Sequence, residues 1–385
     1  MKILSVVGAR PNFMKIAPFS HAIDKHNQEN KDGKIKHILL HTGQHYDDTM
    51  SNSFFHDLNI PEPDINLGVG SGTHAEQVGN TMIAFEKVLH SEKPDWVIVV
   101  GDVNATLACS VTAKKEHIKV CHVEAGLRSR DLTMPEEINR MVTDRLSDLL
   151  LTPDKLSSYN LIAEGVPENQ IVFVGNIMMD TLEANREKAG QLDILSILKE
   201  SLMVGELLIK PSDYFALMTM HRPSNVDDHK IIGPIIDFLI NKVSTRLPLV
   251  WPVHPRTVKQ LKKFYFWNRL VKAKNIYLLN PIVYQQMLKL NMKARVMLTD
   301  SGGIQEECCV LGTPCLTLRW NTERPVTLKE NGGASILVGN DVKKIEMEFN
   351  NILSENSNSL SYRPNLWDGK TAERCLSAIL NFQVK

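Results

Sequence analysis

The chain has 385 residues, with 44 Lys and Arg against 44 Asp and Glu, and 43% of its residues are apolar. That length gives room for two or three domains, and the balanced charge excludes a general nucleic-acid or anionic-membrane surface. The apolar content, with only 21 Gly and 18 Pro, excludes a disordered or fibrous chain, and six Cys without a CxxC pair fit neither a disulfide framework nor a zinc ribbon.

The N-terminal run Ile3–Val7 is short and soon meets Arg10, too short for a signal peptide, and no stretch approaches the roughly 18 apolar residues of a membrane span. A soluble cytoplasmic protein is the expectation, with neither membrane nor nucleic-acid partner. Short apolar runs then recur along the chain. The first half carries Ile3–Val7, His37–Leu40, Trp96–Val100, Val120–Val123, Leu149–Leu151 and Ile171–Val174. The second carries Phe215–Met220, Leu249–Val253, Ile276–Leu279, Val296–Leu298, Cys315–Leu318 and Ile336–Val338. Each is followed by a turn and a helix-length amphipathic stretch, the pattern of parallel strands buried on both faces with helical crossovers. Six runs and six predict an α/β protein of two doubly wound, Rossmann-like domains facing a cleft. The strand cadence lapses between Met179 and Ser212, where Glu183–Lys199 reads as a charged helix before Lys210-Pro211-Ser212, and a final helix is predicted over Thr371–Leu380.

Ligands of open α/β sheets sit beyond the carboxyl ends of the strands, so the residues there carry the functional reading. After the first run, Gly8-Ala9-Arg10-Pro11 opens a helix that also bears Lys15; a helix start with two cations suits a diphosphate, although solvated basic residues would look the same. His41 and His45 are four apart but flank a loop, a poor metal pair, and no metal site is predicted. Gly70-Ser71-Gly72-Thr73-His74-Ala75 matches a loose dinucleotide fingerprint, yet follows no predicted strand and reads as a loop. Asp102 follows Gly101, Glu124 ends Val120-Cys121-His122-Val123, and Glu136-Glu137 follow Pro135 at a helix start. Capping and first-turn charge explain Asp102 and Glu136 individually; Glu124 is harder to explain that way.

In the second half, His221-Arg222 and His254 each end a buried run, and Asp300-Ser301-Gly302-Gly303 runs from a strand into a helix. Paired glycines let the backbone approach an anion, and the free N–H groups at the helix start bind phosphate oxygens. Glu307, about a turn and a half into that helix, could accept ribose hydroxyls. Phosphate-binding groups in one domain and three carboxylates in the other point to acid/base chemistry on a group attached to a diphosphate, with crowded carboxylates raising one another's pKa. No GxxxxGK[ST] motif is present, and Cys308-Cys309 read as packed helix residues.

Taken together, Gly8-Ala9-Arg10-Pro11, Thr42-Gly43-Gln44-His45, Gly101-Asp102, the stretch from His122 to Arg128, the stretch from Pro135 to Arg140, His221-Arg222, Pro252-Val253-His254, the stretch from Asp300 to Glu307 and Thr322-Glu323-Arg324-Pro325 resemble the non-hydrolysing UDP-N-acetylglucosamine 2-epimerase family. The resemblance implies a GT-B-like fold: a first domain over residues 1–178 rejoined by a C-terminal helix over 368–385, and a second over 179–367. It implies a UDP-binding set of Arg10, Lys15, His221, Ser301, Gly302, Gly303, Glu307 and Arg324, to which the strand-end reading adds Arg222 and His254 as further phosphate contacts, and catalytic carboxylates Asp102, Glu124 and Glu136, with His221 beside the departing diphosphate. UDP would leave C1 as the C2 proton is removed, giving 2-acetamidoglucal, and would re-add after reprotonation on the other face. No metal or nicotinamide is implied; a homodimer serving cell-surface polysaccharide synthesis is. Departures from the family pattern are Val103-Asn104-Ala105-Thr106 after Asp102, Pro223-Ser224 after His221-Arg222, and, where bacterial members bind activating substrate, Tyr46-Asp47 and the region around Ser71. Hydrolysing epimerases, epimerases of other UDP-2-acetamido sugars, GT-B glycosyltransferases and a silent nucleotide-sugar sensor are the alternatives.

Overall fold

A computed structural model of the chain describes residues 1–30, 33–43, 62–207, 214–354 and 362–382, the side chains of Arg10 and Pro11 excepted. Gln44, His45, Tyr46, Asp47 and Lys210-Pro211-Ser212 of the sequence reading lie outside the described residues, as does the Arg10 side chain. The chain forms two compact units, Met1–Ala184 with Asn365–Lys385, and Asn185–Pro364.

Seven strands form the sheet of the first unit: β1 Lys2–Val7, β2 Lys36–His41, β3 Ile65–Asn66, β4 Trp96–Val100, β5 Lys119–Val123, β6 Leu149–Thr152 and β7 Ile171–Phe173. Their order is β3-β2-β1-β4-β5-β6-β7, every pair parallel. The second unit holds β8 Ala216–Thr219, β9 Leu249–Pro252, β10 Ile276–Leu279, β11 Val296–Thr299, β12 Cys315–Thr317 and β13 Ser335–Leu337, ordered β10-β9-β8-β11-β12-β13 and again parallel. The strands are parallel because helices cover both faces, and their composition follows: β4 reads Trp-Val-Ile-Val-Val and is buried at every residue. All twelve apolar runs of the sequence are strands. The thirteenth, β3, is two residues long and too short to show a period.

Each sheet reverses its winding once, between β1 and β4 in the first unit and between β8 and β11 in the second. At such a switch point the connections leave toward opposite faces and open a crevice at the strand ends. The loops at those two points carry most of the residues singled out above.

Cores form where the sheets meet their helices. Leu4, Val6, Leu40, Val97 and Val99 pack with Phe85 and Leu89 of the helix His74–Glu92. Met218, Trp251, Leu278 and Leu298 pack with Ile232, Ile236 and Phe349. The stretch predicted as one helix over Glu183–Lys199 is two, Met178–Gln191 and Ile194–Ser201. Asp193 separates them by accepting the Ser196 N–H at 2.8 Å, a cap that competes with continued helix.

The chain's last segment completes the first unit. Trp367 donates its indole N–H to Pro153 O at 2.9 Å, and Asp180 accepts the N–H groups of Thr371 and Ala372 at 3.0 and 2.7 Å. That carboxylate caps the helix Thr371–Leu380, which packs on the helix Arg10–Glu29. Among the described residues no helix is long and apolar enough to cross a membrane.

Candidate functional site

The first unit gathers its charged groups around the turn after β4. Gly101 reverses the chain there with φ +68°, a left-handed conformation that favours glycine, and the charged groups close in on it: a Cβ would lie 3.3 Å from Lys15 Nζ, 3.5 Å from Asn12 Nδ2 and 3.6 Å from Glu124 Oε2. Lys15 pairs with Glu124, and both are buried. Asp102 pairs with Arg140, which also pairs with Glu137. A cation stands beside two of the three predicted carboxylates, Lys15 at Glu124 and Arg140 at Asp102. Asp102 keeps about a quarter of its side chain exposed, whereas Glu124 is almost wholly covered.

Glu136 and Glu137 part company on the helix Pro135–Leu146. Successive helical residues point about 100° apart, so Glu136 faces solvent while Glu137 is buried. Glu137 accepts the Ser129 N–H at 3.0 Å, the Ser129 hydroxyl at 3.0 Å and the Arg130 N–H at 2.8 Å. Burial alone would push its carboxyl up; those N–H donors and Arg140 hold it below the usual range.

Behind the turn lies a chain of buried charge. His122 of β5 is fully buried, with Nε2 2.8 Å from Gly101 O and Nδ1 2.6 Å from Asp144 Oδ1. Asp144 also accepts from Arg128 Nη1 at 2.7 Å, and Arg128 grips Glu164 through Nε at 2.8 Å and Nη2 at 2.6 Å. Against the pull of burial, His122 and Arg128 hold Asp144 low.

In the second unit the organising group is Asp300, which follows β11 and is fully buried. Its carboxylate accepts the N–H groups of His221 at 3.0 Å and Arg222 at 2.8 Å, Asn225 Nδ2 at 3.1 Å and His221 Nδ1 at 3.0 Å. Burial pushes this carboxyl up, but the His221 ring and the backbone donors win and hold it low. Arg222 Nε donates to Asp300 O at 2.8 Å. His254 lies beside His221, ring centroids 5.3 Å apart, and accepts the Arg256 N–H at 3.1 Å. Burial, then the neighbouring His221, lowers the His254 pKa.

Ser301 is the N-cap of the helix Gly302–Leu311 but makes no side-chain cap bond. Gly302 is required by close approach: a Cβ there would sit 2.9 Å from Arg324 Nη1, whereas Gly303 faces open space. Arg324 is buried between Glu306, 2.6 Å from its Nε, and Glu323. Glu307 is also buried rather than exposed; burial pushes its carboxyl up to about 7, against a hydrogen bond from Tyr284. Cys308 and Cys309 are buried, as their helix position implies.

The structure thus brings together Lys15, Asp102 and Glu124 in one unit, and His221, Arg222, His254, Ser301 and Gly302 in the other, with Arg324 beside Gly302. Glu136 is exposed at the start of its helix, and Glu307 is buried within its own. The sequence reading passed over Asn12, His122, Glu137, Arg140 and Asp144. One signal could have found three of them: Glu137, Arg140 and Asp144 recur at i, i+3 and i+7 on a helix whose other face holds Ile138, Met141 and Val142. The buried stripe is the polar one. Among the described residues no group of three or more His, Cys, Asp or Glu could hold a metal ion.

A model of the UDP-N-acetylglucosamine 2-epimerase family matches residues 27–380. The UDP-N-acetylglucosamine 2-epimerase of Methanocaldococcus jannaschii is 40% identical over 376 residues, 97% of each chain. The UDP-2,3-diacetamido-2,3-dideoxy-D-glucuronate 2-epimerase of Pseudomonas aeruginosa is 37% identical over 344 residues, 88% of each chain. The crystal structure of the M. jannaschii UDP-GlcNAc 2-epimerase with UDP-GlcNAc and UDP superposes with a TM-score of 0.86 at 39% identity, covering 99% of both chains. The chain belongs to the UDP-N-acetylglucosamine 2-epimerase family.

Proposed function

We propose that this protein interconverts UDP-N-acetylglucosamine and UDP-N-acetylmannosamine. Two carboxylates, Asp102 and Glu124, flank Gly101 in a chain matched almost end to end by epimerases, and that observation carries the reading. A glycosyl transfer at C1 would need no such pair.

The C2 proton of the sugar is not beside a carbonyl, so it is removed only as positive charge develops at C1. In the forward step the C1–O bond breaks with its electron pair going to UDP, the C2–H proton goes to a carboxylate, and a C1–C2 double bond forms. In the return step C2 takes a proton on its other face and the UDP oxygen rejoins C1. Asp102 and Glu124 would exchange the proton. Glu136 stays in the catalytic set by resemblance; its neighbour Glu137 is bound to the Ser129–Arg130 turn and is a support. Arg10, Lys15, His221, Arg222, His254, the Ser301-Gly302-Gly303 helix start and Arg324 would hold the diphosphate, whose departing charge the N–H groups stabilise. Glu307, neutral or ionised near pH 7, would meet the ribose.

The same reading takes the protein as a cytoplasmic homodimer that supplies a precursor of cell-surface polysaccharide. The apolar outer face of Ile138, Met141 and Val142 supports an interface, and light scattering at micromolar concentration tests it. A second substrate is favoured by the P. aeruginosa relative, whose name gives a diacetamido uronate.

NMR of the protein with UDP-N-acetylglucosamine in D2O decides between these. The manno epimer with deuterium at C2 supports the proposal. Free N-acetylmannosamine and UDP would indicate a hydrolysing enzyme. No change with this sugar, and turnover of the diacetamido uronate, would move the assignment to that substrate.

A further inference from the structure

His122 lies behind the groups that would meet the substrate and is touched by none of the roles above. Its ring is bounded on both nitrogens by acceptors: Gly101 O at 2.8 Å from Nε2 and Asp144 Oδ1 at 2.6 Å from Nδ1. A carbonyl oxygen only accepts, so Nε2 carries a hydrogen. Asp144 takes Arg128 Nη1 at 2.7 Å and the Gly126 N–H at 3.1 Å on Oδ2 and turns Oδ1 to Nδ1 of the ring.

We propose that His122, anchored by Asp144, is a positioning residue that fixes the Gly101 carbonyl and through it the place of Asp102. The inference rests on the proton-transfer role given to Asp102 above.

The turn has no slack elsewhere. Asn12 Nδ2 donates to Val100 O at 2.8 Å, just before Gly101. Asn139 Nδ2 donates to Asp102 O at 2.8 Å, just after it. His122 supplies the contact to the carbonyl between them, and Arg140 orients the Asp102 carboxylate itself. Three successive carbonyls are each met by a side-chain donor from a different element: the helix Arg10–Glu29, β5 and the helix Pro135–Leu146. Left-handed Gly101 could otherwise swing between backbone wells. A shift of 1 Å at a reacting group costs on the order of 100-fold in rate.

Two variants separate positioning from packing. In His122→Gln the amide nitrogen stands near the place of Nε2 and still donates to Gly101 O. In His122→Asn it stands near the place of Nδ1 and reaches only Asp144. Expected for H122N is a fall in kcat of about 10- to 100-fold with KM for UDP-N-acetylglucosamine unchanged, and for H122Q a loss of roughly threefold only. Calorimetric UDP affinity and thermal unfolding of both variants accompany the kinetics. Equal kcat in the two variants, or a loss confined to KM, overturns the proposal.

A wild type silent toward this sugar would count against the substrate and leave the His122 claim to a second readout. In histidine-labelled wild type, 15N correlation spectra identify the ring by its disappearance in H122Q. A protonated Nε2, with the Gly101 amide environment displaced in H122N and near wild type in H122Q, sustains the claim; a bare Nε2 refutes it.

Discussion

Asp300→Asn tests whether one buried carboxylate organises the turn after β8 in the second unit. Three donors converge on Oδ2, the N–H groups of His221 and Arg222 and the Asn225 amide, at 3.0, 2.8 and 3.1 Å. An Asn can keep its single oxygen there, but its NH2 then meets His221 Nδ1, which must become an acceptor. A hydrogen bond to a charged acceptor is worth about 1 kcal/mol more than to a neutral one, so three give about 3 kcal/mol. Relief of the buried charge offsets part of this, leaving about 2–3 kcal/mol. Hydrogen exchange at the amides of β8 and β11 reads the second unit by itself. At about 1.4 kcal/mol per tenfold, the variant should exchange roughly 30- to 150-fold faster at pH 7.

The effect also has a pH signature. Because the folded-state pKa of Asp300 lies below its ordinary 3.8, the unfolded chain binds the proton first as pH falls. Its stabilisation is complete above that ordinary value and is lost as pH drops through the lower folded value. The gap between wild type and D300N should therefore hold from pH 7 to 5 and close below about pH 3.8. Exchange within twofold of wild type at pH 7, or a gap that widens in acid, would refute this account.

Glu307→Gln should act with the opposite sign: the folded pKa of about 7 exceeds the ordinary 4.5, so wild-type stability falls as pH rises between them. Urea midpoints should show E307Q more stable at pH 8 by on the order of 2–3 kcal/mol, with the difference gone by pH 4. Gly101→Ala forces a left-handed alanine, about 1–2 kcal/mol, against Lys15 Nζ, and should slow deuterium uptake at C2 of the sugar while UDP affinity holds. Trp367→Ala removes a buried indole and its bond to Pro153, and should lower the stability of the first unit by about 3–5 kcal/mol in urea titrations followed by exchange at β6 and β7.

The sheets were legible because parallel strands covered on both faces must be apolar throughout, as β4 and β9 are. The turns after β4 and β11 were legible because Gly101 and Gly302-Gly303 follow buried apolar runs. What stayed hidden is the support behind them. His122 and Asn12 are single polar residues that obey no period, and only the three-dimensional packing turns them inward. Adjacent Glu136 and Glu137 look equivalent in a sequence; a helix separates them by 100° and makes one a surface charge. Asp193, a polar residue within a charged stretch, marked the helix break only once its side chain was seen on the Ser196 N–H.

The first unit is assembled from both ends of the chain, which sets an order on biosynthesis. Pro153 and Asp180 leave the ribosome long before Trp367, Thr371 and Ala372, the groups they bind. The interval between Pro153 and Trp367 is 214 residues, or roughly 10–40 s of translation at 5–20 residues per second. The second unit, Asn185–Pro364, is synthesised entirely within that interval, while the apolar side of the helix Arg10–Glu29 that will receive the last helix is bare. A nascent chain halted between Pro364 and Trp367 would thus carry the whole sequence of the second unit and a first unit that lacks its last helix, the species on which a chaperone would act.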